Sequence, residues 1–104
     1  VVTADADCGS PPRIIWGYID ESGAKIAGYG FTVETVTGPG VKIRFKTGFR
    51  ELPAVIVQQH GSGKTTDNAL VYSVNTVEAT VYNGNNLGDK AMRAFFFMAI
   101  AGND

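Results

Sequence analysis

Any chemistry in this chain has to come from one histidine, scattered carboxylates and two polar loops. A Ser–His–carboxylate machine needs a hydroxyl held against a base that a third group orients. His60 is the only histidine, and Ser10, Ser22, Ser62 and Ser73 stand in no nucleophile-elbow context. Asp20 and Glu21 are adjacent. Neighbouring strand residues face opposite ways, so this pair suits a turn better than an acid/base couple. Asp20, Glu21 or Asp89 with loop carbonyls could offer oxygens to calcium, but the ligand count is thin. Gly61-Ser62-Gly63-Lys64-Thr65-Thr66 looks like the end of a phosphate-binding loop, but Gln58 stands where that motif needs its first glycine. The residues that follow have strand character, so no helix N-terminus is there to meet a phosphate. The sequence therefore predicts no enzyme, no metal and no cofactor.

The two polar loops carry the binding expectation. Gln58, His60, Asp67 and Asn68 flank one loop, and Tyr82, Asn83, Asn85 and Asn86 lie in and before the other. Amides, a carboxylate and an aromatic ring together suit sugar hydroxyls, which need paired donors and acceptors beside a flat apolar surface. Asn–Gly sequences are also ordinary turn chemistry. Lys42, Arg44 and Lys46, with Arg50 beyond them, form a cationic stripe that fits an anionic ligand or the solvated outer face of a sheet. Cys8 stands alone, which excludes a disulfide within these 104 residues and leaves an inert thiol or an inter-subunit or upstream disulfide.

The elements that must position these groups are strands. Residues 13–20, 24–27, 31–37, 41–47, 54–59, 69–74 and 77–82 read as strands, separated by Gly-, Pro- and Asn-rich turns. The clearest alternation is Val41, Ile43 and Phe45 against Lys42, Arg44 and Lys46. Residues 1–12 read as a linker or arm, with Val1-Val2-Thr3 able to form a short strand, and 13–104 as one domain. No 3.6-residue pattern is present. The expected fold class is all-β, an antiparallel sandwich of six to eight strands.

Residues 91–101 break the alternation after Arg93. A run apolar on both faces predicts a strand covered twice, and in a chain of 104 residues the second cover is a partner subunit. Phe95, Phe97 and Ala99 are the expected interface residues, and a homotrimer the expected assembly. The run is too short to span a bilayer, which takes about 20 residues, so no membrane insertion is expected. Net charge is −1, so no global field recruits nucleic acid. A chain beginning at Val1 without a signal peptide reads as processed, or as a domain cut from a longer protein.

From Gly28 to Gly102 the order of segments resembles a known kind of module: Gly28-Tyr29-Gly30-Phe31-Thr32-Val33, Val41-Lys42-Ile43-Arg44-Phe45, Phe49, Pro53-Ala54-Val55-Ile56-Val57, Thr66-Asp67-Asn68-Ala69, then Phe95 to Gly102. It is similar to C-terminal β-modules of bacterial surface or secreted proteins and phage tail-fibre tips, and to the H-type lectin fold. The resemblance implies a trimeric β-sandwich, extracellular or on a cell or virion surface, that binds a glycan or surface receptor without catalysis. The alternative is a structural trimerisation or capping domain of a larger fibre or secreted protein.

Overall fold

Alternation and turn chemistry divide the chain into eight strands. The computed structural model describes residues 11–61 and 67–102. The strands are β1 (Arg13–Ile19), β2 (Lys25–Gly28), β3 (Phe31–Val36), β4 (Gly40–Phe45), β5 (Ala54–Gln59), β6 (Asn68–Val74), β7 (Glu78–Gly84) and β8 (Phe95–Ala101). They form two four-stranded sheets, ordered β2-β1-β8-β5 and β3-β4-β7-β6. Every pairing is antiparallel. The all-β, antiparallel expectation holds. Cys8, the Val1–Thr3 strand and residues 62–66 of the glycine–lysine stretch lie outside the described residues.

Each turn has a local cause. Asp20 Oδ1 accepts from the Ser22 and Ala24 amides, both at 2.9 Å, and from the Ser22 hydroxyl at 2.6 Å. The turn ends at Gly23, whose φ of +88° few side chains tolerate. Asp20 is thus committed to joining β1 and β2. Asn75 does the same between β6 and β7, accepting from the Val77 and Glu78 amides.

One apolar core fills the space between the sheets. Ile15 and Ile19 from β1, Phe31 from β3, Val41, Ile43 and Phe45 from β4, and Ala79 and Val81 from β7 are buried in it. Phe49, and Phe95, Phe97, Ala99 and Ala101 of β8, complete it, with Phe31 and Phe97 edge to face at 4.9 Å. Their rings occupy the space above Gly17, where any Cβ would lie 2.8 Å from Phe97 and closer still to Phe31.

This arrangement corrects the expectation for residues 91–101. The strand starts at Phe95, and it does alternate: Phe95, Phe97 and Ala99 point into the chain's own core, at 0%, 3% and 0% exposure. Fully packed inside one sandwich, they have no surface left for a second subunit. The face turned outward carries Phe96 and Met98, 44% and 41% exposed. Both faces of β8 are apolar because one meets the core and the other an outer surface of the same character.

Candidate functional site

The outer positions of β6 and β7 follow from register. Leu70 pairs with Tyr82 and Asn68 with Gly84, so these four share the outer face of the second sheet. The chain leaves β7 through a loop that Asn85 folds back on itself, its Oδ1 accepting from the Leu87 amide at 2.9 Å and the Asp89 amide at 3.0 Å. Lys90 then bridges to Gly84, which has no side chain to fill the space between them. The result is a cleft of about 480 Å³ lined by Asn68, Ala69, Leu70, Tyr82, Asn83, Gly84, Asn85, Asn86, Gly88 and Lys90. That volume lies within the usual range for small-molecule sites.

Tyr82 anchors the floor. Its ring lies against Gly40, where any Cβ would be 2.6 Å from Cε1, and its hydroxyl donates to the Thr37 carbonyl at 3.0 Å. Tyr72, displaced by the bulge in β6, meets it edge to face at 5.2 Å. The Lys90 ammonium sits 4.2 Å from the Tyr82 ring centroid. Leu70 and Tyr72 beside it are exposed.

Five of the eight expected ligand residues come together here: Asn68, Tyr82, Asn83, Asn85 and Asn86. They do not contribute alike. Asn68 and Asn86 are exposed, with Asn68 Oδ1 accepting from the Ala69 amide; Asn83 is 3% exposed, and the Asn85 carbonyl oxygen is engaged by its own loop.

The other three go elsewhere. The Asp67 side chain is only 4% exposed and lies 3.5 Å from the guanidinium of Arg93. Next to Asn68, the Gln59 amide spans the two sheets by donating to the Asn68 and Gly84 carbonyls. Asp67 therefore faces inward rather than toward a ligand. Gln58 and His60 are displaced to the outer face of the first sheet. Gln58 stands opposite Phe96, and the His60 ring lies 5.1 Å from Tyr18 and 6.2 Å from Phe96. His60 Nδ1 and the Tyr18 hydroxyl are 2.5 Å apart.

That outer face carries a run of exposed apolar side chains. Across β1, β8 and β5 the ladder sets Ile14 and Ala54 opposite Ile100, Trp16 and Ile56 opposite Met98, and Tyr18 and Gln58 opposite Phe96. Trp16 and Ile56 are 44% and 62% exposed, and no charged side chain interrupts these three rows. The cationic stripe behaves differently. Lys42 and Arg44 stand beside Glu78 at 3.5 and 3.8 Å, and Arg44 meets Glu34 at 3.1 Å. Cross-strand carboxylates neutralise these two, so this part of the stripe reads as a solvated sheet surface, whereas Lys46 and Arg50 have no ion pair among the described residues.

Sequence reasoning missed Lys90, Leu70 and Gly84 in the cleft, and Ile14, Trp16, Ile56, Phe96 and Met98 on the outer face. For Leu70 the available signal was its parity with Tyr82 across the hairpin. For Lys90 none existed, because its place depends on how Asn85 folds the loop. Among the described residues no three His, Cys, Asp or Glu side chains group as metal ligands. No described helix is long and apolar enough to cross a membrane. Comparison with family models, curated proteins and solved structures returned no match.

Proposed function

We propose that the chain is a non-enzymatic, oligomeric binding module that takes a glycan, free or on a cell-surface receptor, in the cleft between β6, β7 and the loop after β7. The observation that carries this reading is the cleft itself: exposed amides of Asn68 and Asn86 stand around an apolar floor of Leu70 and Tyr82. Sugars present hydroxyls at their rim and C–H surfaces on their faces, and this floor and rim match both.

The charge-free outer face of β1, β8 and β5 supports association of copies, with Phe96, Met98, Trp16 and Ile56 as contacts in place of Phe95, Phe97 and Ala99. A homotrimer would present three clefts and convert weak individual binding into avidity. A role at a cell or virion surface fits such multivalency. The same face also favours the second reading, a trimerisation or capping domain with no ligand of its own.

A glycan array probed with the labelled chain and with Gly84→Leu tests the proposal. A Cβ at Gly84 meets only ordinary contacts, at 3.5 Å from the Asp89 carbonyl oxygen and 3.8 Å from that of Asn68, so the variant fills the cleft and keeps the strand. The expected result is glycan binding by the wild type that the leucine abolishes. Binding unaffected by the filled cleft sinks the site. An assembled chain that binds no glycan leaves the capping role.

A further inference from the structure

The cleft has a charge, and the charge has a sign. Among the described residues, Lys90 is the only ionisable amine or carboxylate that lines it. The other cations of this sheet surface for which partners are seen, Lys42 and Arg44, are held by Glu34 and Glu78. Among the described residues no carboxylate comes within ion-pair distance of Lys90. Asp89, next to it in sequence, is exposed and does not line the cleft. The backbone bridge from Lys90 to Gly84 fixes where the side chain starts, and the Tyr82 ring 4.2 Å from Nζ fixes where it ends. An ammonium resting on a ring keeps its N–H donors free on the side away from the ring, because the ring accepts through its face.

Resting on the glycan reading above, we propose that the ligand is an anionic saccharide. Its carboxylate or sulfate is received by Lys90, its hydroxyls by Asn68 and Asn86, and its apolar face by Leu70. A positioned, unneutralised cation favours such a ligand in two ways. No ion pair has to be broken for the anion to arrive, and the tyrosine has already restricted the lysine's rotamers. A neutral sugar would gain neither advantage. It would also have to desolvate an ammonium without replacing that hydration by a charge.

Amide chemical-shift titration separates the possibilities. The probes are a galacturonate oligomer, the matching neutral galactose oligomer and inorganic sulfate alone, added to the wild type, Lys90→Met and Lys90→Arg. Methionine keeps an unbranched side chain over Tyr82 and removes the charge. The expected result is saturable shifts at Asn85, Asn86 and Lys90 with the acidic oligomer, weakened roughly fivefold by Lys90→Met, largely restored by Lys90→Arg and weakened by added salt. Equal response to the neutral oligomer, or no loss in Lys90→Met, overturns the anionic assignment and leaves the glycan reading standing. Sulfate alone binding as tightly as the oligomer overturns it in favour of a simple anion site. No response to either oligomer overturns the glycan reading as well.

Discussion

The Tyr18 hydroxyl lies 2.5 Å from Nδ1 of His60, joining positions separated by 42 residues. His60 follows the last residue of β5, and its amide donates to the Ala94 carbonyl just before β8. Backbone and side chain thus pin the end of an edge strand across β8 to β1. Tyr18→Phe removes the side-chain half of this connection and keeps the ring packing. Urea unfolding should show a loss of about 0.5–1 kcal/mol. The loss should vanish in a His60→Ala background, where no partner remains to be freed.

The two faces of β8 predict opposite phenotypes for neighbouring phenylalanines. Phe97→Ala empties a core position against Phe31 and should cost about 3–5 kcal/mol. Phe96→Ala should cost less than about 1 kcal/mol, since its side chain is already 44% exposed. Phe96→Asp should leave the thermal transition near that of the wild type and reduce self-association in sedimentation equilibrium. Unchanged association would remove this face from any assembly.

That contrast marks how far the sequence could be read. The strands and the inward set Val41, Ile43 and Phe45 were legible because each depends on neighbours in sequence, and many short strands joined by tight turns pointed to an antiparallel fold. In β8 the pattern was ambiguous: seven consecutive apolar residues carry no parity, and a shift of one residue exchanges the faces. Only the pairing of Trp16 with Met98 and of Gly17 with Phe97 decides which side is which. The cleft was half legible for a similar reason. Asn68, Tyr82 and Asn86 announced themselves by type, whereas Lys90 enters through a bridge to Gly84. Asp67 and His60 resembled ligand groups by type, whereas the structure sets Asp67 beside Arg93 and His60 beside Tyr18.

Gly17→Ala tests a close packing point between the two sheets. Its added methyl would overlap the Phe31 ring and approach Phe97 to 2.8 Å, so both rings must move. The expected cost is about 1–3 kcal/mol, seen as an earlier denaturation midpoint with an unchanged slope. A neutral outcome would mean that Phe31 and Phe97 repack freely, contrary to the close interdigitation of the two sheets.

The turn at Asp20 predicts a pH dependence. The Ser22 hydroxyl bond is the largest cause, followed by the Ala24 amide, and together they hold the carboxyl below its ordinary value of 3.8. A depressed folded value means that the folded state binds the proton less readily than the unfolded chain. The contribution is therefore fully present above pH 3.8 and fades as pH falls through the lower folded value. The melting temperature of Asp20→Ala should lie below that of the wild type at neutral pH, and the difference should narrow in acid. A gap that stays constant down the acid range would show that the carboxylate charge plays no part in the turn.

The sheet order β2-β1-β8-β5 has a consequence for how the molecule is made. Synthesis proceeds from β1 toward β8, yet β8 occupies the middle of its sheet, hydrogen-bonded to the first strand on one side and to β5 on the other. Until β8 leaves the ribosome, β1 and β5 have no common neighbour, and half of the sandwich has no interior strand. Folding of this sheet must wait for the longest-range pairing among the described strands, the slow kind of topology. A truncation that stops short of Phe95 would remove a keystone rather than a margin. In the finished fold, Arg13 and Ala101 sit side by side, so segments attached before and after the sandwich would leave it from the same end.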